Sequence, residues 1–187
     1  FGVAVFGETL TPRDCVGLVM IIVAVSCVIA GGNVTIAGTL TAAKVVNAYY
    51  NDYAEFFPRG EASEPGDIIA LADTEKESYV KATKGSVMVV GIHSDEYAQI
   101  IGGETDENGN VDIEMVLQKY IPVALAGRVH VKYYGMAKAG MKVVPSEIPG
   151  VGRAFVDGDK EENVVGRIVE GDTFQNVRKV KVMVRRQ

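Results

Sequence analysis

Asn51-Asp52-Tyr53-Ala54-Glu55 is the stretch of this sequence whose residue types could do chemistry. Two carboxyl groups three residues apart on a tight segment can share a proton, one raising the pKa of the other, which suits acid–base work. The Asn51–Asp52 bond also sets a side-chain amide beside a backbone carbonyl that it could attack. A plainer reading exists: Asn or Asp opening a helix, with Glu three residues on, is capping-box geometry. The residues by themselves favour the cap.

A second polar cluster, His93-Ser94-Asp95-Glu96-Tyr97, holds the residue types of a nucleophilic triad. Triads assemble in space, however, and neighbours along a strand face opposite ways. It reads as a polar loop after the strand Val87–Ile92. Gly31-Gly32 and Gly102-Gly103 lack the lysine or helix pattern of a phosphate loop, and no GxSxG elbow occurs. Cys15 and Cys27 form no CxxC pair, and His93 and His130 are the sole histidines. No metal centre and no cofactor is expected from so few ligands, and both cysteines read as buried free thiols.

The elements that must position these groups are strands. The chain has 187 residues, 48% of them hydrophobic, with 21 glycines and no tryptophan. Many apolar positions are Val or Ile, which suit a pleated, half-buried surface. The net charge of −5 offers no basic stripe to offset phosphate, so no nucleic-acid partner is expected. The one basic cluster, Arg178, Lys179, Lys181, Arg185 and Arg186, alternates with Val180, Val182 and Val184, as in a strand with one wet face.

Three segments follow from the pattern. Residues 1–43 form an apolar, strand-rich stem or oligomerisation segment, with no charged residue from Cys15 to Ala43. Val16–Ala30 approaches the roughly 20 apolar residues of a membrane helix. Its β-branched content, the Gly31-Gly32 stop and the alternation after it favour strands buried between identical chains, with a membrane-anchored surface protein as the secondary reading. Residues 44–58 are an aromatic connector, for which a short helix or an extended segment both fit. Residues 59–187 are a β domain, a small barrel or sandwich. Its strands are Ile68–Ala72, Ser78–Ala82, Val87–Ile92, Tyr120–Ala126, Arg128–Tyr134, Lys142–Val144, Val164–Val169 and Val177–Val184. Turns fall at Glu64-Pro65-Gly66-Asp67, Lys138-Ala139-Gly140, Pro149-Gly150 and Asp157-Gly158, and Asp106-Glu107-Asn108-Gly109-Asn110 carries a hairpin signal. The fold class expected is all-β.

The run Asn47-Ala48-Tyr49-Tyr50-Asn51-Asp52-Tyr53-Ala54-Glu55-Phe56-Phe57 resembles the "NDYAE" or "SDYAE" motif of the auto-processing C-terminal domains of phage tail and neck appendages. Val89-Val90-Gly91-Ile92-His93-Ser94 is similar to their "LGVVS" strand, and Ile121-Pro122-Val123-Ala124-Leu125-Ala126-Gly127-Arg128-Val129 to their "VGLLGKV" strand. The stretch from Gly32 to Thr41 is similar to the fibre stems that precede such domains. The resemblance implies a structural fibre or appendage domain that acts as an intramolecular chaperone for a homotrimer and attaches to a particle. Its partners would be copies of itself, other particle proteins and a host surface receptor, and its place the virion or another extracellular particle. Some members cut themselves before the Asp of the motif. The resemblance puts that bond at Asn51–Asp52, with Asp52 and Glu55 as participating acids. Asn51 stands where self-cleaving members carry serine, whose hydroxyl serves an acyl shift, so the bond is expected to stay whole.

The uncharged stretch Cys15 to Ala43 has too little polar surface to be solvated in a lone chain. Asp at Val34 or Ile36 puts a charge into that dry surface and should weaken the oligomer. Light scattering checks this, and a stable, soluble monomer of the unaltered chain would refute the reading.

Overall fold

The computed structural model describes residues 4–5, 8–9, 51–105 and 112–184. Expectations that fall elsewhere lie outside the described residues: most of the apolar segment with Val16–Ala30, both cysteines, residues 44–50, the Asn108-Gly109 turn, and Arg185 and Arg186. Contacts divide the chain into two units, Phe1–Val45 and Val46–Gln187. In the first, β1 (Ala4–Val5) pairs antiparallel with β2 (Glu8–Thr9). Among the described residues no helix is long and apolar enough to cross a membrane.

The second unit is β-rich, as the composition predicts. Its strands are β3 (Asp52–Pro58), β4 (Ile68–Leu71), β5 (Tyr79–Lys81), β6 (Val89–His93), β7 (Tyr97–Ile101), β8 (Tyr120–Tyr133), β9 (Lys142–Pro145), β10 (Gly152–Ala154), β11 (Gly166–Ile168) and β12 (Arg178–Val184). Ladders run β10-β9-β11-β12-β8, and a parallel pairing of Gly152 with Tyr133 joins the two ends. The result is a closed five-stranded barrel. From β8 the sheet continues through β6 and β4 to β5, while β3 lies between β7 and β8.

Local chemistry explains most of these elements. In β12, Val180, Val182 and Val184 are buried and alternate with Lys179, Lys181 and Met183, the one-sided pattern read from the sequence. Glu64-Pro65-Gly66-Asp67 is a turn closed by the Asp67 N–H donating to the Glu64 carbonyl at 3.0 Å. Proline at its second position and Gly66 at φ +100° suit a type II turn. The predicted turns at Lys138–Gly140, Pro149-Gly150 and Asp157-Gly158 each contain a glycine in the left-handed region.

Several expectations need correction. Asp52–Pro58 is neither a helix nor a capping box but the extended strand β3. Tyr120–Ala126 and Arg128–Tyr134 are one 14-residue strand, β8 (Tyr120–Tyr133), that continues unbroken through Gly127. The element following the undescribed 106–111 is a helix, α1 (Ile113–Lys119), not the return strand of a hairpin. Asp112 caps it, its carboxylate accepting from the N–H groups of Glu114 and Met115. Arg59 closes the other end, its guanidinium donating to the Leu117 and Tyr120 carbonyls at 3.0 and 2.7 Å.

Two apolar clusters hold the unit together. The larger joins Ile68, Ile92, Val129, Val131, Tyr133, Val143, Val180 and Val182 inside and beside the barrel. The smaller gathers Ile69, Tyr79, Ile121 and Val123, with Phe57 packed against it. Phe56 points the other way, edge-on to Tyr97 and Tyr120, and Gly103 lies against both Phe56 and the buried Val116 of α1. β3 therefore contributes a phenylalanine to each of its faces. Burying one such side chain is worth about 1.5–3 kcal/mol. A fragment of residues 59–187 should accordingly unfold in urea several kcal/mol more easily than one of residues 46–187, with a β-type circular dichroism spectrum from the longer piece. Equal midpoints would show that β3 adds nothing to the core.

Candidate functional site

The Asn51–Asp52 peptide bond lies where β3 begins, against the pivot of β8. Asp52 registers with Gly127 on one side and Tyr97 on the other. Both ladders slip just beyond it, the extra residue being Ala98 in β7 and Leu125 in β8, so β3 itself keeps regular alternation. Gly127 has φ +109°, and a Cβ there would meet the Asn51 carbonyl oxygen at 2.2 Å and the Asp52 Cα at 2.6 Å. Only glycine leaves room for this approach. The next residue, Arg128, donates its backbone N–H to the Asn51 carbonyl at 3.2 Å, and its guanidinium donates to Asn51 Oδ1.

Asn51 itself is exposed, but one residue on the environment reverses. Asp52 is 4% exposed, and neither carboxylate oxygen finds a donor in full hydrogen-bonding geometry among the described residues. Burial pushes its carboxyl above the ordinary 3.8. The Ser94 hydroxyl and the backbone N–H of Asp52 are near enough to favour the charged form but do not offset burial, and Glu96 and Asp95 add to the rise. Ser94 is itself buried and accepts from the Glu96 N–H at 3.3 Å.

Glu55 is not part of this arrangement. Alternation along β3 turns it to the face opposite Asp52, half-buried across from Val123 and Ile101. The two carboxyl groups that the spacing paired are thus separated, and the acids near Asp52 are Glu96 and Asp95. The predicted polar loop after β6 supplies these neighbours. A polar cavity of about 80 Å³ beside Asp52 is lined by His93, Glu96, Arg128, His130 and Lys179, among others.

His93 anchors the loop. It is 7% exposed, and its Nδ1 lies 3.0 Å from the Ser63 hydroxyl, which in turn accepts from Arg59. Burial, reinforced by the Arg59 charge, lowers its pKa to about 4, so the ring is neutral near pH 7. Beside it Lys132 bridges Glu64 and the buried Asp67 at 2.9 and 2.8 Å. Backbone bonds from Gly66 to the His93 carbonyl and from Lys132 to the Gly66 carbonyl, each 2.8 Å, tie the turn between β6 and β8. No set of three or more His, Cys, Asp or Glu side chains among the described residues is placed to hold a metal ion.

This arrangement bears on the acyl shift that the resemblance implies. A hydroxyl on residue 51 attacking its own carbonyl would close a four-membered ring, so serine at that position cannot cut the following bond by such a shift. The Asp52 carboxyl reaches the same carbon through a six-membered ring, but only its charged form is nucleophilic, and burial disfavours that form. Gly127, Arg128, Ser94 and Glu96 are the site residues that the sequence reading did not assign. The signal for Gly127 was there: a lone glycine inside an apolar strand marks a bulge or a close backbone approach.

Among solved structures, the chain is similar to the pre-mature bacteriophage phi29 gene product 12, with 18% identity and a TM-score of 0.56 over 80% of this chain and 24% of that one. It is also similar to a C-terminal fragment of the same phage protein, with 20% identity and a TM-score of 0.50 over 71% of this chain and 99% of the fragment. The chain spans about a quarter of the longer protein. At these identities the likeness is one of fold. No protein-family model matches the sequence, and no curated protein does.

The buried acid makes stability depend on pH in a definite direction. Below about pH 3.8 Asp52 is protonated in both the folded and unfolded chain and costs nothing. As pH rises through its elevated folded pKa, the penalty for ionising it in place appears and then stays. Asp52→Asn should therefore be more stable than the unaltered chain at pH 7, by about 1 kcal/mol, with the gap closing towards pH 3. Urea unfolding at both pH values measures this, and a variant less stable at pH 7 would mean that the carboxylate is well solvated or paired.

Proposed function

We propose that the chain is the C-terminal part of a fibre or appendage protein of a phage or phage-derived particle. In this reading residues 46–187 serve as an assembly domain: they bring three copies together and seat them on the particle, next to other structural proteins and, at the free end, a host surface receptor. The observation that carries the proposal is the fold likeness to 99% of a C-terminal fragment of a phage gene product. Two features of the chain agree with it. The Asp52-Tyr53-Ala54-Glu55 motif opens a strand at the heart of the domain, and the uncharged stretch before it needs partners to bury it.

The same reading keeps the Asn51–Asp52 bond intact, making the protein a structural component rather than a single-turnover autoprotease. The support is chemical. Burial favours the neutral form of the carboxyl that could attack the Asn51 carbonyl, and Glu55 faces away from it. The side-chain amide of Asn51 is a poor nucleophile as well, and it is engaged with Arg128.

Intact mass spectrometry with light scattering on the full chain tests both parts. The expected result is one uncut polypeptide in particles three chains in mass, resistant to detergent until boiled. A monomer would refute the assembly role. Two pieces divided before Asp52 would instead make the protein an autoprotease.

A further inference from the structure

Asn51 holds two carbonyl oxygens, and Arg128 donates to both: its backbone N–H to the main-chain oxygen at 3.2 Å, its guanidinium to Oδ1. The two bonds have opposite chemical consequences. A main-chain donor on a carbonyl polarises its carbon and would stabilise the oxyanion formed when a nucleophile adds there. Besides the Asp52 carboxyl, which burial holds back, the Nδ2 of Asn51 itself can reach that carbon, by closing a five-membered ring. A cation on Oδ1 draws electron density from the same amide, lowers the nucleophilicity of Nδ2 and restrains rotation of the side chain. Meanwhile Gly127 lies so close against the peptide that a Cβ on it would strike the Asn51 oxygen and the Asp52 Cα, a contact that restrains rotation of the peptide on that side. The competing loss of ammonia, in which the Asp52 nitrogen attacks the side chain, needs the peptide to rotate and is held back by that contact.

We infer that the Arg128 guanidinium is a catch on the Asn51–Asp52 bond, holding off a cleavage for which the Gly127-Arg128 backbone is already set. This rests on the proposal above that the bond stays whole, and names the residue that keeps it so. In the released reaction Nδ2 forms a bond to the Asn51 carbonyl carbon and the bond from that carbon to the Asp52 nitrogen breaks. One Nδ2 proton passes to the leaving Asp52 amine. The upstream fragment ends in a cyclic imide, the downstream fragment begins with a free Asp52 amine, and no water is consumed. The two fragment masses sum to that of the parent chain until the imide hydrolyses. Arg128 is therefore a positioning residue whose side chain protects and whose backbone would assist.

Arg128 is exposed on β8, so its side chain can be removed without opening the core. The full chain would be made unaltered and as Arg128→Ala, Arg128→Lys and the double variant Asn51→Ala/Arg128→Ala. Each is incubated warm at neutral pH after circular dichroism shows the β spectrum, and followed by intact mass and N-terminal analysis. Arg128→Ala should release a fragment beginning at Asp52 at least about fivefold faster than the unaltered chain, the factor for one lost hydrogen bond of about 1 kcal/mol. The early upstream fragment should be one water lighter than a hydrolysis product. Arg128→Lys, which keeps a cation near Oδ1, should cut more slowly than Arg128→Ala, and the double variant should stay whole. Equal rates in Arg128→Ala and the unaltered chain would overturn the catch, as would cutting that persists without Asn51. Should Arg128→Ala lose the β spectrum, the comparison of Arg128→Lys with the unaltered chain decides the matter in the same way. Rapid cutting of the unaltered chain would refute the earlier proposal instead, which keeps the two failures apart.

Discussion

The continuity of β8 through Gly127 is the constraint on which the second unit depends. Before that glycine the strand runs between β3 and β6, buried on both faces from Ile121 to Ala124. After it, Val129, Val131 and Tyr133 face the barrel while His130 and Lys132 face outward, and β12 takes over as neighbour. One strand thus serves two differently packed regions, and the change of partner requires a local kink. A residue at φ +109° supplies it, at a position where any side chain would strike the backbone of β3.

Closing a five-stranded barrel removes sheet edges that would otherwise invite uncontrolled pairing. Here the closure rests on a short parallel contact between Gly152 and Tyr133, reinforced by the Tyr134 N–H donating to the Gly152 carbonyl at 2.8 Å. The rest of the stiffness near the site is polar. Asp67 is almost fully buried, yet its carboxylate is satisfied by the Glu64 N–H and by Lys132, so its burial is compensated. Asp52, equally buried, lacks any comparable partner. A structure that pairs one buried carboxylate so thoroughly and leaves the other with only weakly placed donors concentrates its least comfortable group where a local rule is broken, the usual mark of a position held for function.

That contrast also explains why an exposed arginine matters beside a buried acid. The peptide between them has one oxygen clamped, one side chain tethered and one carboxyl whose reactive, charged form is disfavoured by burial. Two of these restraints come from β8, through its Gly127-Arg128 backbone and the Arg128 side chain, and the third from the burial of Asp52 beside the loop from His93 to Glu96.

What was legible in the sequence was what short-range physics controls. The alternation of β12 and the turn at Gly66 depend on neighbours within a few residues, so period and turn chemistry sufficed. β3 is less legible: its buried face carries Asp52, Ala54 and Phe56 while its more open face carries Tyr53, Glu55 and Phe57, so apolar and polar residues occur on both faces and the residue types alone leave helix and extended segment equally open. β8 was split in two because a glycine in an apolar run looks the same whether the chain turns there or merely bends. At the site, Asn51 and Asp52 stood out from residue type and motif, but Glu55 was joined to them by spacing alone, and a strand turns residues three apart to opposite faces. Ser94, Glu96, Gly127 and Arg128 reach Asp52 only because β3 is inserted between β7 and β8. Those pairings join segments about 45 to 75 residues apart, and no local pattern of residues encodes them.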